Sequence, residues 1–143
     1  YQLLFTSRLY EFLYHLCRSY SHQIPSASLT GSQRDLQRVT HVMNWVKVHY
    51  PEPLSLETAA DSLALSKEYF CRLFKKYTGQ TFLEYLNDAR TMHLYEDLQN
   101  SDETITVLME KNGLSNYKIF MRTFKKLYGS TPQKMRSNRI RHV

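Results

Sequence analysis

The chain has 143 residues, of which 42% are hydrophobic, and it carries a net charge of +6. That length suits one or two small domains with a hydrophobic core. A membrane-spanning helix needs about 18 consecutive apolar residues, and no such run is present, so no contact with a membrane is expected. All thirteen acids lie at or before Glu110, and nine Lys and Arg follow with no acid among them. Such a basic field predicts a polyanion, DNA or RNA, as the partner.

The two cysteines, Cys17 and Cys71, lie far apart and have no metal-type spacing. Free thiols of this kind favour a reducing cytoplasm over a disulfide scaffold. The first residue is Tyr, and no signal-peptide pattern follows it. We therefore expect a cytoplasmic protein, and we expect this chain to be the C-terminal piece of a longer one.

Residues 1–20 are predicted to form an amphipathic helix, because Leu9, Phe12, Leu13 and Leu16 recur at helical spacing. Such a helix would dimerise or pack on a missing upstream domain, or it would pack on its own domain, and the pattern leaves these alternatives open. The next segment, 21–32, contains four Ser, one Pro and one Gly but no charge. That composition predicts a flexible linker.

Residues 33–80 are predicted to form a first helix-turn-helix unit behind a bracing helix. The bracing helix would run from about residue 33 to 50 and end before Pro51. Its inward positions, taken at steps of three and four, are Leu36, Val39, Met43, Val46 and Tyr50. Ser55 would then cap a short helix over 56–63, and a turn at 64–66 leads into a basic helix.

That basic helix is part of an internal repeat. Residues 69–81, YFCRLFKKYTGQT, and residues 119–131, IFMRTFKKLYGST, are identical at seven of thirteen positions. Each copy predicts a short helix capped by a Ser and ended by a Gly; these residues are Ser66, Gly79, Ser115 and Gly129. The predicted buried stripes are Phe70, Leu73, Phe74 and Tyr77, then Phe120, Thr123, Phe124 and Leu127. Both helices carry Lys and Arg on the other face, which suits a second helix that reads DNA.

Residues 81–100 are predicted to form a linker helix between the two readers. Thr81 and Glu84 make a capping-box pattern, and the inward residues are Phe82, Leu86, Leu94 and Leu98. About eighteen residues span roughly 27 Å, close to the ~34 Å between successive major grooves on one face of DNA.

Residues 101–143 are predicted to form the second helix-turn-helix unit and a tail. Thr104 would cap a helix over 105–112, and a turn at 113–115 leads into the second basic helix. Thr131 and Pro132 would then start a short helix that runs to about residue 138.

With these motifs in place, residues 33–138 resemble the DNA-binding domain of the AraC/XylS family of bacterial transcription regulators. The resemblance implies an all-α, seven-helix domain in which one long linker helix joins two helix-turn-helix units. It implies readers that enter adjacent major grooves of double-stranded DNA, transcription regulation, with activation expected, and RNA polymerase as a second partner. It also implies that an effector would bind a missing N-terminal domain, and that residues 1–20 correspond to the helix after that domain.

The resemblance assigns DNA-facing positions residue by residue. In the first reader these are Lys67, Glu68, Cys71, Arg72 and Lys75; in the second they are Asn116, Tyr117, Lys118, Met121, Arg122 and Lys125. The two arginines would grip guanine edges, or else contact phosphate or an intramolecular acid. Glu68 would accept from cytosine, Met121 would touch a thymine methyl, and the lysines would lie near phosphates. Cys71 is either an apolar base contact or a passive small residue.

Two positions depart from the family's pattern. Met109 stands where a small Ala is usual, and Asn112 stands where an apolar residue is usual. A buried Asn needs hydrogen-bond partners, so these residues put the packing of the second unit, and its reading of bases, in question.

No enzyme is expected. The six histidines are scattered without a metal-ligand pattern, and no Gly-rich phosphate loop is present, so no catalytic residue, metal site or cofactor is predicted. The rival hypothesis is a helical protein-interaction module in which the repeat is only structural and no specific DNA sequence is bound.

Overall fold

The structure is a computed structural model that describes the backbone of residues 31–140 and the side chains of residues 31–137. Of the residues that it describes, those from residue 34 onward belong to one compact unit. The predicted helix over 1–20 and its proposed dimerisation lie outside the described residues. Most of the predicted linker and the end of the tail also lie outside them.

Seven helices account for most of the described chain. They are α1 (Gly31–His49), α2 (Leu56–Asp61), α3 (Lys67–Thr78), α4 (Phe82–Asn100), α5 (Ile105–Lys111), α6 (Tyr117–Tyr128) and α7 (Pro132–Ile140). Between residues 31 and 140 no strand occurs. The prediction of an all-α, seven-helix domain with two helix-turn-helix units and a long connecting helix is therefore confirmed.

The first unit packs around the aromatic rings of α3. Phe70 and Phe74 are fully buried, and both meet Phe82 at the start of α4 with ring centroids 5.7 and 5.8 Å apart in edge-on geometry. Such aromatic pairs contribute about 0.5–1.5 kcal/mol beyond the area they bury. The short helix α2 presents Ala59 and Ala60, whose small side chains let it lie close to the rings. This core holds the reader helix α3 rigidly by one face.

The bracing helix α1 is rotated relative to the prediction. Its buried residues are Val39, Val42 and Val46, whereas Leu36 is 52% exposed. The assignment of Leu36 as inward was therefore wrong. Steps of three and four residues allow two neighbouring apolar stripes on α1, one that contains Leu36 and one that contains Val42. Packing against the first core buries the stripe that contains Val42.

The second core repeats this arrangement with the far half of the linker helix. Leu94 and Leu98 of α4 pack with Leu108 of α5 and with Phe120 and Phe124 of α6, all five fully buried. Phe82 and Leu86 belong to the first core. The first half of α4 therefore packs in the first core and its second half packs in the second core. All four of its predicted inward positions are confirmed.

One inward position of the second reader was predicted wrongly. Leu127 is 36% exposed, and the neighbouring Tyr128 takes the inner position. The Tyr128 ring stacks on Tyr95 of α4 at a centroid distance of 4.2 Å and also contacts Phe124. A large aromatic ring buries more surface than leucine, and so the end of α6 turns Tyr128 toward the linker helix.

Most of the predicted helix ends are present. Thr81 and Glu84 form the capping box: the Thr81 hydroxyl accepts from the Glu84 N–H at 3.3 Å, and the Thr81 N–H donates to the Glu84 carboxylate at 2.8 Å. The Thr81 N–H and the Thr81 hydroxyl both donate to the Glu84 carboxylate and hold its pKa below the usual value. Gly79 and Gly129 adopt the left-handed conformation at the ends of α3 and α6.

The cap of the second reader differs from the prediction. Asn116, not Ser115, caps α6, with its side-chain oxygen accepting from the Ile119 N–H at 3.0 Å. In the first turn the cap Ser66 directly follows Leu65, but in the second turn Ser115 stands between Leu114 and the cap. The second turn is thus one residue longer at this point, which the matching Ala-Leu-Ser and Gly-Leu-Ser sequences concealed.

Candidate nucleic-acid interface

Each reader helix has one buried face and one exposed basic face. In α3 the buried residues are Phe70, Leu73 and Phe74, and in α6 they are Phe120, Thr123 and Phe124. The assigned DNA-facing residues lie elsewhere on both helices. At about 100° per residue, positions 67, 68, 71, 72 and 75 of α3 fall within an arc of about 140°.

The same arc recurs on the second reader, because adding 50 to each of those numbers gives positions 117, 118, 121, 122 and 125. We call these ten positions the reader face. Nine of the ten side chains are exposed. The exception is Met121, which is half-buried and packs against the second core. Met121 therefore has less free surface to offer a base than Cys71, its counterpart in α3.

The two arginines of the reader face form no ion pair within residues 31–137. Arg72 and Arg122 are exposed, and no ion pair joins either of them to an acid whose side chain is described. The intramolecular salt bridge that the sequence left open is thus not formed with residues 31–137. Both guanidinium groups remain available for a bidentate acceptor such as a guanine edge or a phosphate.

Two other assigned residues already have intramolecular partners. The Lys67 ammonium is paired with Glu57 of α2, and this hydrogen bond and charge raise the pKa of Lys67. The side-chain oxygen of Asn116 is occupied as the cap of α6. Both residues are exposed, so an exposed ion pair such as Lys67–Glu57 would cost little to exchange for a phosphate.

The last Lys of each repeated RxFKK motif has a different role. Lys126 donates to Asp88 of the linker helix at 3.1 Å, and Lys76 lies over the Tyr77 ring at 5.3 Å from its centroid. These contacts turn both lysines away from the reader face. The two adjacent lysines of each motif therefore differ: the first lies on the exposed reader face, and the second contacts a side chain of its own domain.

Sequence reasoning marked Asn112 as a buried residue that needs partners, and the structure supplies them. Asn112 is 1% exposed, and its amide donates to the Asp97 carboxylate at 2.8 Å and to the Leu108 carbonyl at 2.9 Å. Asp97 belongs to α4, so the pair ties the linker helix to the end of α5. Met109 is also accommodated, at 6% exposure, in the second core.

A contact that sequence reasoning missed joins the two units. Arg90 of α4 donates from Nε to the Tyr50 carbonyl at 2.7 Å and from its terminal nitrogen to the Glu52 carbonyl at 2.6 Å. Gly113, in the turn of the second unit, lies against Pro51 in the same loop. No local signal marks Arg90, because its partners are backbone atoms about forty residues away.

Two further kinds of site are a metal cluster and a membrane-spanning helix, and the described residues form neither. Within residues 31–137, no group of three His, Cys, Asp or Glu is placed to hold a metal ion. Cys71 is an exposed free thiol. None of the seven helices combines the length and the apolar character needed to cross a membrane.

Comparison with known proteins agrees with this geometry. The family profile of the helix-turn-helix domain matches residues 59–138. The transcriptional activator RhaS of Escherichia fergusonii is 31% identical over 111 residues, which cover 78% of this chain and 40% of RhaS. The chain spans a smaller share, 14%, of uncharacterised HTH-type regulators from Staphylococcus aureus that are 33% identical over 102 residues.

Solved structures share the fold. The DNA-binding domain of AdpA, determined in complex with a target DNA, has a TM-score of 0.64 and 25% identity, and the match covers 71% of this chain and 91% of that one. An AraC-type regulator from Chromobacterium violaceum has a TM-score of 0.61 and 28% identity, over 76% of this chain and 95% of that one. With two capped helix-turn-helix units, a shared linker helix and these relatives, the chain belongs to the AraC family of helix-turn-helix, DNA-binding transcription regulators.

Proposed function

We propose that this protein recognises one asymmetric sequence in double-stranded DNA by placing α3 and α6 in successive major grooves, and that it thereby activates transcription. The observation that carries the proposal is the duplicated reader face. Ten positions recur at identical spacing on the two helices, and nine of them carry exposed side chains outside both cores. A face needed only for packing would not remain uncovered in both copies.

The residue types of the reader face divide into base readers and backbone anchors. Arg72 and Arg122 would bind guanine edges through two parallel hydrogen bonds, each worth about 1–3 kcal/mol of discrimination. Glu68 would accept from a cytosine amine. Lys75 and Lys125, one turn further along each helix, would contact phosphates and supply affinity without sequence information.

In the second reader, Tyr117 and Lys118 stand where the first has Lys67 and Glu68. The two helices therefore present different donors and acceptors to DNA, and the proposed site is asymmetric. Met121 would contribute a smaller apolar contact than a fully exposed residue, because part of its side chain packs inward.

The linker helix supports a two-groove arrangement by its length. Helix α4 has 19 residues and so measures roughly 28 Å. Successive major grooves on one face of DNA lie about 34 Å apart. Since each end of α4 is embedded in the core beneath one reader, a rod of this length suits helices that enter adjacent grooves.

Activation and partners are inferred from relatives. RhaS is described as an activator, and the chain spans only 40% of its length. We therefore propose that RNA polymerase is a partner, that an effector binds a domain outside this chain, and that residues 1–20 dimerise or pack on that domain. The protein would act where bacterial DNA lies, in the cytoplasm.

The experiment that tests specific binding is selection from random duplex DNA by the 143-residue chain. The expected result is one asymmetric motif of about 15–20 base pairs with two conserved blocks one helical turn apart. In a chain with both Arg72→Ala and Arg122→Ala, each block should lose the preference at the base pair that its arginine reads. Wild-type protein that retains DNA but enriches no motif would support the rival interaction module with non-specific binding.

A further inference from the structure

The relative placement of the two readers depends on more than the linker helix. Helix α4 joins the two cores at its opposite ends. With this helix as the only connection, each helix-turn-helix unit could still tilt or rotate relative to the other. A second contact away from the helix axis is needed to make the two units one rigid body. The Lys126–Asp88 pair joins α6 to α4, but its lysine side chain is 60% exposed, and such pairs contribute little.

The contact at Arg90 lies away from that axis. Its guanidinium binds the carbonyls of Tyr50 and Glu52, which belong to the loop between α1 and α2 in the first unit. Burial lowers the pKa of Arg90 from its usual value. Two donors fixed on one rigid plane hold two carbonyls at once, whereas the three donors of a lysine ammonium rotate freely and are not held in that geometry.

Gly113 completes the contact from the second unit. A Cβ built on Gly113 would stand 2.6 Å from the Pro51 oxygen and 3.2 Å from Cζ of Arg90. The turn of the second unit therefore touches both the loop of the first unit and the guanidinium that holds it. An open groove of about 970 Å³ lies beside this point, and its lining includes Pro53 and Tyr117 as well as Arg90 and Gly113.

The repeat itself shows why glycine stands at this position. The corresponding residue in the first turn is Ala64, which has a positive φ of 52°, close to the 71° of Gly113. In each turn the following leucine donates to the carbonyl five residues before it. A Cβ is thus compatible with this turn in the first unit. What excludes a Cβ at Gly113 is the neighbouring unit, not the turn alone.

We infer that Arg90, the loop 50–53 and Gly113 form an inter-unit contact that sets the spacing and rotation between α3 and α6. This contact would thereby determine which separation of the two half-sites in DNA the protein accepts. The inference rests on the proposed function, in which both readers bind one duplex. It assigns Arg90 and Gly113 as positioning residues for DNA recognition, although neither belongs to the reader face.

The first test measures spacing discrimination. The selected DNA site is remade with one base pair removed or added between its two blocks, which rotates one block by about 35° and moves it by about 3.4 Å. Wild-type protein should bind the altered duplexes at least about tenfold more weakly, because one reader loses its base contacts. Gly113→Ala should reduce that ratio to about threefold or less, or move the optimum to another spacing.

The matched controls are Gly79→Ala and Gly129→Ala. Both glycines have positive φ, 77° and 66°, but no atom lies within 4 Å of a built Cβ. They therefore share the backbone strain of Gly113→Ala without its clash. Each control should keep the wild-type ratio between spacings. Arg90→Lys, which removes the fixed planar pair of donors, should act like Gly113→Ala and serves in its place if that variant does not fold.

A second test needs no DNA. In a Cys17→Ser background, nitroxide labels on Cys71 of α3 and on Lys125→Cys of α6 report the distance between the readers by double electron–electron resonance. The otherwise unaltered protein should give one narrow distribution, and Gly113→Ala should broaden or shift it, whereas Gly129→Ala should not. Wild-type protein that selects no DNA motif would refute the proposed function and leave this measurement to decide the inference. Folded Gly113→Ala and Arg90→Lys with unchanged distance distributions would overturn the inference.

Discussion

The Asn112–Asp97 pair allows the sharpest prediction of stability. Asn112→Ala removes the hydrogen bond to the Asp97 carboxylate and the bond to the Leu108 carbonyl. A hydrogen bond to a charged group contributes about 1.5–3 kcal/mol. Asp97 is half-buried, so water will partly replace the lost donor, and the lower half of that range applies. The space left by the amide adds about 1 kcal/mol.

The expected loss of unfolding free energy is therefore about 2.5–3 kcal/mol, which corresponds to a fall in Tm of roughly 12 °C for about 110 ordered residues. Urea denaturation followed by far-ultraviolet circular dichroism measures it. Asn100→Ala is the matched control, because Asn100 also donates to a helix carbonyl, that of Glu96, but is exposed. That control should change stability by less than about 0.5 kcal/mol.

A double-mutant cycle isolates the pair itself. Asp97→Ala combined with Asn112→Ala should cost less than the sum of the single changes by about 1 kcal/mol or more, because each single change already removes their bond. If Asn112→Ala is as stable as the wild type within 0.5 kcal/mol, or if the two changes add fully, the assignment of this pair as a stabilising link between α4 and α5 is refuted.

Three further predictions concern DNA binding and pH. Arg72→Ala should raise Kd for the selected site about 5- to 150-fold, a loss of about 1–3 kcal/mol, and relax the preference at one base pair only; equal weakening on random DNA would show a phosphate contact instead. Lys75→Ala and Lys125→Ala should each weaken binding to all sequences and reduce the slope of log K against log salt by about one, and an unchanged slope in a titration from low to high salt would contradict this role. Glu84 has a folded-state pKa below its usual 4.5, because the Thr81 N–H and hydroxyl donate to its carboxylate. The ionised carboxylate therefore stabilises the fold above pH 4.5, and this stabilisation is lost as the pH falls through the lowered pKa. The Tm difference between wild type and Glu84→Gln should therefore be full near pH 6 and shrink below pH 4.5, and a difference that stays constant down to pH 3 would be inconsistent with the capping interaction.

Sequence patterns predicted the helices and most of their ends because those features depend on neighbours in the chain. The capping box at Thr81 and Glu84 and the left-handed Gly79 and Gly129 involve atoms within four residues of each other. Such interactions depend on short sequence motifs, which can be recognised without knowledge of the fold. The internal repeat then identified two similar units, and the resemblance assigned their exposed faces.

The wrong predictions have a common cause: at each of these places two nearby residues fit the local sequence pattern equally well. Leu36 and Val42 both fit a helical stripe on α1, and Leu127 and Tyr128 both lie near the inner edge of α6. Which member turns inward depends on what the opposite helix presents there. Ser115 was a plausible cap by composition, but the chain reaches its helical conformation one residue later, at Asn116.

The amino-acid sequence alone was sufficient for the helices between residues 31 and 140, the duplication and the basic character of both readers, since each follows from composition and spacing along the chain. Tertiary structure decided which basic residues remain free, because Lys126 is bound to Asp88 whereas Arg122 is not paired with any acid of residues 31–137. It also decided how the two units meet. Arg90 and Gly113 act on backbone atoms of the 50–53 loop, and backbone atoms carry no residue-specific signal that a sequence pattern could reveal.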